Sequence, residues 1–298
     1  MIARVIRDEQ CPEMRCTVPV WDWPLSGWDL RSVRGSTYSG FATALHTRLS
    51  MSEKQTSCAA LLNAFDKVFV INLPNRKDRR LGIDQQLKSV GLGLGHPDVC
   101  LFPAVRPRRK LGFPSIGTRG CFLSHIGVLE QAISMNLKRF LVLEDDADFS
   151  DNFSLRFREV SRYLKQIDWD MVYGHMPAGV PKPDFKQRMR IALVAPDAAI
   201  ECLHFYGVSG RCAVKALPYL KNILQRPAGD PRGGAMHVDG AYSWFRKSHP
   251  ELVTVAVDPP LAVQRPSRSD IHDLQWFDRQ KLLRPMTNLA RRLKRSVA

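Results

Sequence analysis

The sequence predicts an α/β fold built on a mostly parallel sheet with helices on both faces. Two short apolar runs, 67–73 (KVFVINL) and 139–143 (RFLVL), have the near-continuous hydrophobicity of strands that are buried on both faces. Helical patterns separate these runs, and such alternation is typical of a parallel sheet. Because open α/β sheets bind ligands at the carboxyl ends of their strands, the residues that follow each strand are the first candidates for function.

Local patterns place the elements in order along the chain. Pro74 and Asn75 end the first strand, and a helix is predicted over 76–90, where Gly91 supplies the stop. Glycine, proline and basic residues then predict a loop over 92–118. The remaining predicted elements are a helix at 118–135, the strand at 139–143, a helix at 151–166, a strand at 170–173, a strand–turn–helix transition at 201–214, a helix at 239–248 and a strand at 252–257.

Composition divides the 298 residues into three parts. Residues 1–64 have weak periodicity and are predicted to be an N-terminal extension with little regular order. Residues 65–272 carry the alternating pattern and are predicted to form one α/β domain. Residues 273–298 have a helical pattern with seven basic and two acidic residues, which predicts a basic helical tail.

The net charge of +15 (44 Lys+Arg against 29 Asp+Glu) suits nucleic acid, phosphates or an anionic membrane as partner. The excess is concentrated in the tail and in residues 96–119, where five basic residues face one acidic residue. No nucleic-acid-binding motif is present. The distribution therefore favours phosphate handling and an anionic membrane surface, and it predicts no nucleic-acid partner.

The seven cysteines are odd in number and scattered, without the spacing of a zinc site. They predict reduced thiols in a cytoplasmic protein. No window approaches the ~18 apolar residues of a membrane-spanning helix, and residues 1–50 lack the apolar core of a secretory signal. We therefore expect a cytoplasmic protein that is peripheral on the inner face of the cytoplasmic membrane through its tail.

Three carboxylates, Glu144, Asp145 and Asp146, directly follow the strand at 139–143. Adjacent carboxylates repel one another and resist burial, so at the end of a buried strand they need a cation. Oxygen ligands suit Mg²⁺ or Mn²⁺. Glu144 and Asp146 point to the same side of an extended chain, so one can bind the metal while the other meets a sugar hydroxyl. The alternative is a solvated acidic turn before the next helix.

A basic segment, 76–80 (RKDRR), opens the helix after the first strand. Helix N-termini and arginine both attract phosphate, although a solvated helix face is the alternative. His125 lies on the apolar face of the helix at 118–135, where a packed core histidine is the alternative to a ligand.

Three motifs in order resemble glycosyltransferase family 25, the lipooligosaccharide and procollagen galactosyltransferase family. They are Asn72-Leu73-x-x-Arg76-x-Asp78-Arg79, Gly117-x-x-Gly120-Cys121-x-x-Ser124-His125 and Leu141-Val142-Leu143-Glu144-Asp145-Asp146. Weaker similarity at 206–209, 237–239 and 260–271 extends the resemblance to about residues 66–271.

The resemblance implies a GT-A-like fold, a UDP-sugar donor, a divalent metal (Mn or Mg) and inversion at the anomeric carbon. It makes Asp239 the candidate catalytic base, with a helix cap before residues 240–245 as the alternative. It also makes His272 a candidate extra metal ligand, with a surface histidine as the alternative. Alongside the metal ligands Asp146 and Glu144, the implied donor-binding residues are Asn72, Arg76, Asp78, Arg79, Gly117, Ser124, His125, Glu144, Asp145, Gln264, Ser269 and Asp270.

The expected activity is inverting transfer of a hexose, galactose, from a UDP-sugar to a saccharide or lipid-linked saccharide in lipopolysaccharide or cell-surface glycan synthesis. Such a reaction develops an oxocarbenium-like centre and a diphosphate leaving group. A metal neutralises the departing charge, and a carboxylate base activates the acceptor hydroxyl. The alternatives are a Mg-dependent phosphohydrolase that uses the acidic cluster, and a non-catalytic protein that binds nucleotide sugar or nucleic acid.

Overall fold

A computed structural model describes residue 52, residues 54–177 and residues 190–265. These residues form six helices around two sheets. In chain order the elements are α1 (54–64), β1 (Lys67–Asn72), α2 (Lys77–Ser89), β2 (Val99–Pro103), α3 (Ile116–Ser134), β3 (Arg139–Glu144), β4 (Ala147–Phe149), α4 (Phe153–Leu164), β5 (Met171–Tyr173), β6 (Arg190–Leu193), β7 (Phe205–Ser209), α5 (Gly210–Leu224), α6 (Val238–Ser248), β8 (Thr254–Asp258) and β9 (Ala262–Gln264).

The main sheet has seven strands in the order β2-β1-β3-β7-β5-β8-β6. Strands β2, β1, β3, β5 and β8 point in one direction, whereas β7 and β6 run antiparallel to their neighbours. The predicted α/β class is confirmed, and the sheet is mixed. Strands β4 and β9 form a separate antiparallel pair. The carboxyl ends of β1, β3, β5 and β8 and the start of β7 therefore share one edge.

Strand β1 explains why its sequence is apolar at nearly every position. Phe69 and Ile71 pack into the core on one face of the sheet. Val68 and Val70 pack into the core on the other face. Successive strand residues point to opposite faces, so burial on both sides removes the alternation between polar and apolar residues that a half-exposed strand has.

The structure corrects the predicted loop over 92–118, because β2 lies within it. This strand is short, mostly half-buried and at the sheet edge, so its sequence, VCLFP, carries little periodic signal. Within the predicted extension, residues 54–64 form α1, and Leu61 on this helix is buried in the core beneath β1. Residues 1–51, 53, 178–189 and 266–298 lie outside the described residues, and they include the predicted basic tail.

Within residues 54–177 and 190–265, no helix combines the length and the apolar composition that a membrane-spanning helix needs.

A buried carboxylate joins the middle of the sheet to two neighbouring segments. Asp170, immediately before β5, accepts hydrogen bonds from Val253 N (2.9 Å), Arg211 Nε (2.6 Å) and Ser209 Oγ (3.2 Å). Asp170 and Ser209 are 4% and 6% exposed, so the Ser209 hydroxyl has little access to water as a substitute acceptor, whereas the Arg211 side chain is exposed.

We expect Asp170→Ala to lower the free energy of unfolding by about 2–4 kcal/mol, because the buried Ser209 hydroxyl and the part-buried Val253 N–H would lose their acceptor. Urea unfolding measures the change. Glu251→Ala is the matched control, since its ion pair with Lys215 is solvent-exposed and its loss should leave the unfolding midpoint unchanged. Equal effects of the two substitutions would contradict this role of Asp170.

Candidate active site

Strand register brings the first and third motifs together at the carboxyl edge of the sheet. Ile71 of β1 pairs with Glu144 of β3, so the next residues along each strand, Asn72 and Asp145, are neighbours. Asn72 Nδ2 donates to Asp145 Oδ2 at 2.7 Å. On the other side of β3, Glu144 N donates to His204 O at 3.1 Å, where β7 begins. The acidic cluster therefore lies between β1 and β7.

Arg79 reaches from α2 to two buried carboxylates. Its Nη1 donates to Asp145 Oδ1 at 2.9 Å and lies 3.2 Å from Asp146 Oδ2. The two aspartates are 6% and 5% exposed. Burial raises the pKa of the Asp145 carboxyl, and the Arg79 charge opposes that rise. Arg79 therefore holds both carboxylates in place by internal ion pairs.

Asp146 has one carboxylate oxygen with a hydrogen-bond donor and one without, within residues 54–177 and 190–265. Gln264 Nε2 donates to its Oδ2 at 3.3 Å. Its Oδ1 is buried and has no hydrogen-bond partner among the described residues. Burial, followed by the charge of Glu144, raises the pKa of Asp146 to about 7. A hard divalent cation would supply the missing charge and a ligand for this oxygen, so Asp146 fits the predicted metal.

The second motif meets the third through a buried histidine. His125 is fully buried on α3, with Nε2 3.3 Å from Glu144 Oε1 and Nδ1 2.6 Å from Tyr206 OH. Burial raises the pKa of Glu144, but the hydrogen bond and charge of His125, together with the charges of His204 and Arg79, lower it overall. His125 is therefore a packed core histidine that also contacts the acidic motif.

The glycine and serine positions of the second motif hold a loop against α3. Ser124 Oγ donates to Gly120 O at 2.7 Å and accepts from Val105 N at 2.8 Å. A Cβ atom at Gly120 would lie 2.5 Å from Val105 O, which explains the glycine. Gly117 lies in the first turn of α3, after the N-cap residue Ser115. The contacts of Ser124 are thus internal, and its predicted role in donor binding stays a prediction.

An open cleft with a cavity volume of about 120 Å³ lies beside the acidic motif. It brings together Glu144, Asp239 and Gln264, which belong to three distant parts of the sequence. Asp239 Oδ2 accepts from Cys202 N at 3.1 Å and its Oδ1 accepts from Gly240 N at 2.7 Å, so the carboxylate is held in a fixed orientation. The full lining is Thr118, Cys121, Glu144, Cys202, Leu203, His237, Val238, Asp239 and Gln264.

Strand β9 fixes the position of Gln264. The next residue, Arg265, donates from its backbone N to Asp146 O at 2.6 Å and from Nε to Asp148 Oδ1 at 2.9 Å. A Cβ atom at Gly82 on α2 would overlap the Arg265 guanidinium, so the glycine makes room for it. These contacts hold β9 against the acidic motif and α2.

Other predicted residues are placed differently. Arg76 and Asp78 pair with each other through Nε–Oδ1 (3.0 Å) and Nη2–Oδ2 (2.8 Å), and the hydrogen bond from Arg76 lowers the pKa of Asp78 to about 2. Neither residue lines the cleft. Ser269, Asp270 and His272 lie outside the described residues. Their predicted roles, like those of Arg76 and Asp78, stay predictions.

Sequence reasoning assigns no role to Cys121, Cys202 or Tyr206, all of which contact the site. Cys121 and Cys202 line the cleft, and Tyr206 contacts His125. The spacing of Cys121 and His125, four residues apart on a helix, was the available signal that they share one face. No local signal places Cys202 or Tyr206 beside them, because both come from the second half of the chain.

Comparison with known proteins identifies a family that part of this chain resembles. Residues 108–187, from the basic loop before α3 to beyond β5, match the family model described as "Glycosyltransferase family 25 (LPS biosynthesis protein)". This region includes the second and third motifs. The predicted resemblance to glycosyltransferase family 25 is thereby confirmed.

Individual relatives extend this similarity. Procollagen galactosyltransferase 2 of Mus musculus is 27% identical over 208 residues, which cover 62% of this chain and 31% of the mouse protein. The Aedes aegypti protein "Glycosyltransferase 25 family member" is 32% identical over 128 residues, 36% of this chain and 20% of that protein. "Inactive glycosyltransferase 25 family member 3" of Mus musculus is 30% identical over 127 residues, 37% and 22% of the two chains. The chain thus spans less than a third of the length of these relatives.

We expect Arg79→Met to lower the free energy of unfolding by about 3–5 kcal/mol at pH 8, since it would leave buried carboxylates uncompensated. Without Arg79 the pKa values of Asp145 and Asp146 would rise further, so the native state would hold protons that the unfolded state releases. The loss should therefore shrink as the pH falls towards 4. Urea unfolding across this range measures it.

Lys77→Met is the matched control, because it removes a positive charge from an exposed position on the same helix. A destabilisation by Arg79→Met that is equal at pH 8 and pH 4 would contradict the coupling to the carboxylates.

Proposed function

We propose that this chain is a glycosyltransferase with a GT-A-like fold that moves galactose from a UDP-sugar to a saccharide acceptor with inversion. The observation that carries the proposal is the cleft at the sheet edge, which Glu144, Asp239 and Gln264 line together. The donor sugar is supported by the name procollagen galactosyltransferase 2 of the mouse relative. The saccharide acceptor is supported by the family description, which names lipopolysaccharide biosynthesis.

The donor end of the site is the acidic motif. Asp146, with its unsatisfied buried Oδ1, would hold a divalent ion, Mn²⁺ or Mg²⁺, with Glu144 as the second ligand. When bound, such an ion supplies positive charge for a departing diphosphate. Arg79 and Gln264 both contact Asp146 Oδ2, so they orient the carboxylate and leave Oδ1 for the ion.

The acceptor end is Asp239. Backbone N–H groups of Cys202 and Gly240 each occupy one of its oxygens, which fixes the plane of the carboxylate within the cleft. In an inverting displacement, a carboxylate in this position takes the proton from the acceptor hydroxyl as the new glycosidic bond forms. Glu144 and Asp239 line the same cleft, so donor and acceptor would meet there.

A second candidate is a protein that binds nucleotide sugar without turnover. It is favoured by the names of two similar relatives, the mouse and human "Inactive glycosyltransferase 25 family member 3", each 30% identical over 127 residues. This candidate uses the same acidic motif and cleft. It differs from the first in that the bound donor would not be consumed.

We expect a thermal shift that requires both Mn²⁺ and UDP-galactose, together with UDP release that requires a saccharide acceptor. UDP-glucose and Mg²⁺ are the comparison ligands. Asp146→Asn should abolish the metal-dependent part of the shift, whereas Asp151→Asn, at an exposed position before α4, should leave it unchanged. A shift without UDP release would favour the non-catalytic candidate, and acceptor-independent phosphate release would favour a phosphohydrolase.

We expect Asp239→Asn to lower kcat by about 10²–10⁴-fold, the range that general bases contribute, with donor affinity unchanged. Steady-state kinetics and donor titration by calorimetry separate the two effects. An Asp239→Asn protein with full turnover would exclude Asp239 as the base.

A further inference from the structure

Three side chains with different ligand chemistry meet on the wall of the cleft. Cys121 Sγ, His125 Nε2 and Glu144 Oε1 all lie within 4.8 Å of one another. Sγ is 3.7 Å from Oε1, and Nε2 is 3.3 Å from the same oxygen. We propose that these three residues form a site for a soft divalent transition-metal ion, Zn²⁺, distinct from the hard-ion role proposed for Asp146 Oδ1.

Two of the three distances match the edges of a tetrahedral zinc site. Zinc binds sulfur at about 2.3 Å and nitrogen or carboxylate oxygen at about 2.0–2.1 Å, so a tetrahedron has S–O edges of about 3.5 Å and N–O edges of about 3.3 Å. The observed separations are 3.7 Å and 3.3 Å. The third pair, Cys121 Sγ and His125 Nε2, lies within 4.8 Å, and a bound ion would hold these two atoms at about 3.5 Å.

The backbone already holds the ligands on converging elements. Cys121 and His125 are four residues apart on α3 and point to the same face, one turn apart. Glu144 is the last residue of β3, directly opposite that face. Two ligands from one helix and a third from a neighbouring strand form a rigid arrangement.

Tyr206 completes the arrangement as an outer partner. Its hydroxyl lies 2.6 Å from His125 Nδ1 and the residue is fully buried on β7. With the imidazole proton on Nδ1 and donated to the Tyr206 oxygen, Nε2 presents its lone pair to the ion. The Cys121 thiol releases its proton to solvent as the sulfur binds, so each ion bound as Zn²⁺ displaces one proton.

The cleft supplies access and a fourth ligand position. Cys121 and Glu144 both line it, and His125 lies behind them. Three protein ligands and an open position filled by water are typical of zinc sites that face a cavity. Because Glu144 would be shared with the donor end of the site, bound Zn²⁺ would inhibit galactose transfer. This consequence rests on the proposed function, whereas zinc binding itself does not.

The test is a Co²⁺ titration of the full chain, without donor or acceptor, followed by visible absorption. We expect a thiolate-to-cobalt charge-transfer band and intense tetrahedral ligand-field bands, which Zn²⁺ then removes. Cys121→Ser should abolish the charge-transfer band. Cys202→Ser, the matched control at the other thiol of the same cleft, should retain it, and Tyr206→Phe should weaken Co²⁺ affinity by about 10–100-fold.

A second measurement needs no substitution and covers the case in which a variant fails to fold. Zinc X-ray absorption spectroscopy of the native chain loaded with one equivalent of Zn²⁺ should show one sulfur ligand at about 2.3 Å and nitrogen or oxygen ligands at about 2.0–2.1 Å. A charge-transfer band that persists in Cys121→Ser or disappears in Cys202→Ser would overturn the site. A zinc shell that holds nitrogen and oxygen ligands without sulfur would overturn it as well.

Discussion

The ion pairs of Arg79 with Asp145 and Asp146 are the constraint on which the rest of the site depends. Buried carboxylates are costly to ionise, and one guanidinium bridging two of them offsets only part of that cost. The negative charge that Arg79 leaves uncompensated lies at Asp146, whose Oδ1 has no hydrogen-bond partner among the described residues. This local excess of buried negative charge is what would give the site affinity for a cation.

The antiparallel strand β7 at the centre of the sheet gives the site its second half. A fully parallel sheet would place another carboxyl end beside β3. Here the start of β7 lies beside Glu144 instead, and Tyr206 comes within reach of His125. The residues just before β7 also supply the backbone N–H of Cys202 that orients Asp239. One reversed strand thus joins the acidic motif to the proposed acceptor end.

Sequence patterns predicted two interior strands, β1 and β3, because burial on both faces leaves a continuous apolar run in each. They failed for β2, which is short and lies at an edge where partial burial weakens the pattern. The acidic motif was predictable because it follows β3 directly. The ion pairs of Arg79 with this motif could not be predicted, because an arginine on a helix surface and an arginine that binds carboxylates look alike in sequence.

Long-range contacts were the other limit of prediction. Gln264 reaches Asp146 across 118 residues of sequence, and Asn72 reaches Asp145 across 73. Only the family resemblance grouped these residues beforehand. Strand β9 pairs with β4 through three residue pairs, and this pairing brings Gln264 to the site. The spacing of residues along the chain cannot reveal a contact that depends on strand register.

Strand β9, which brings Gln264 to the cleft, has a consequence for how the site assembles during folding. The region of family similarity, 108–187, contains the acidic motif but neither Arg79 on one side nor Asp239 and Gln264 on the other. A chain emerging from the ribosome would expose the carboxylates of β3 well before β9 was synthesised. Assembly of the site is therefore a late event in folding, limited by contacts of high sequence separation, and the nascent acidic motif would spend that interval open to water.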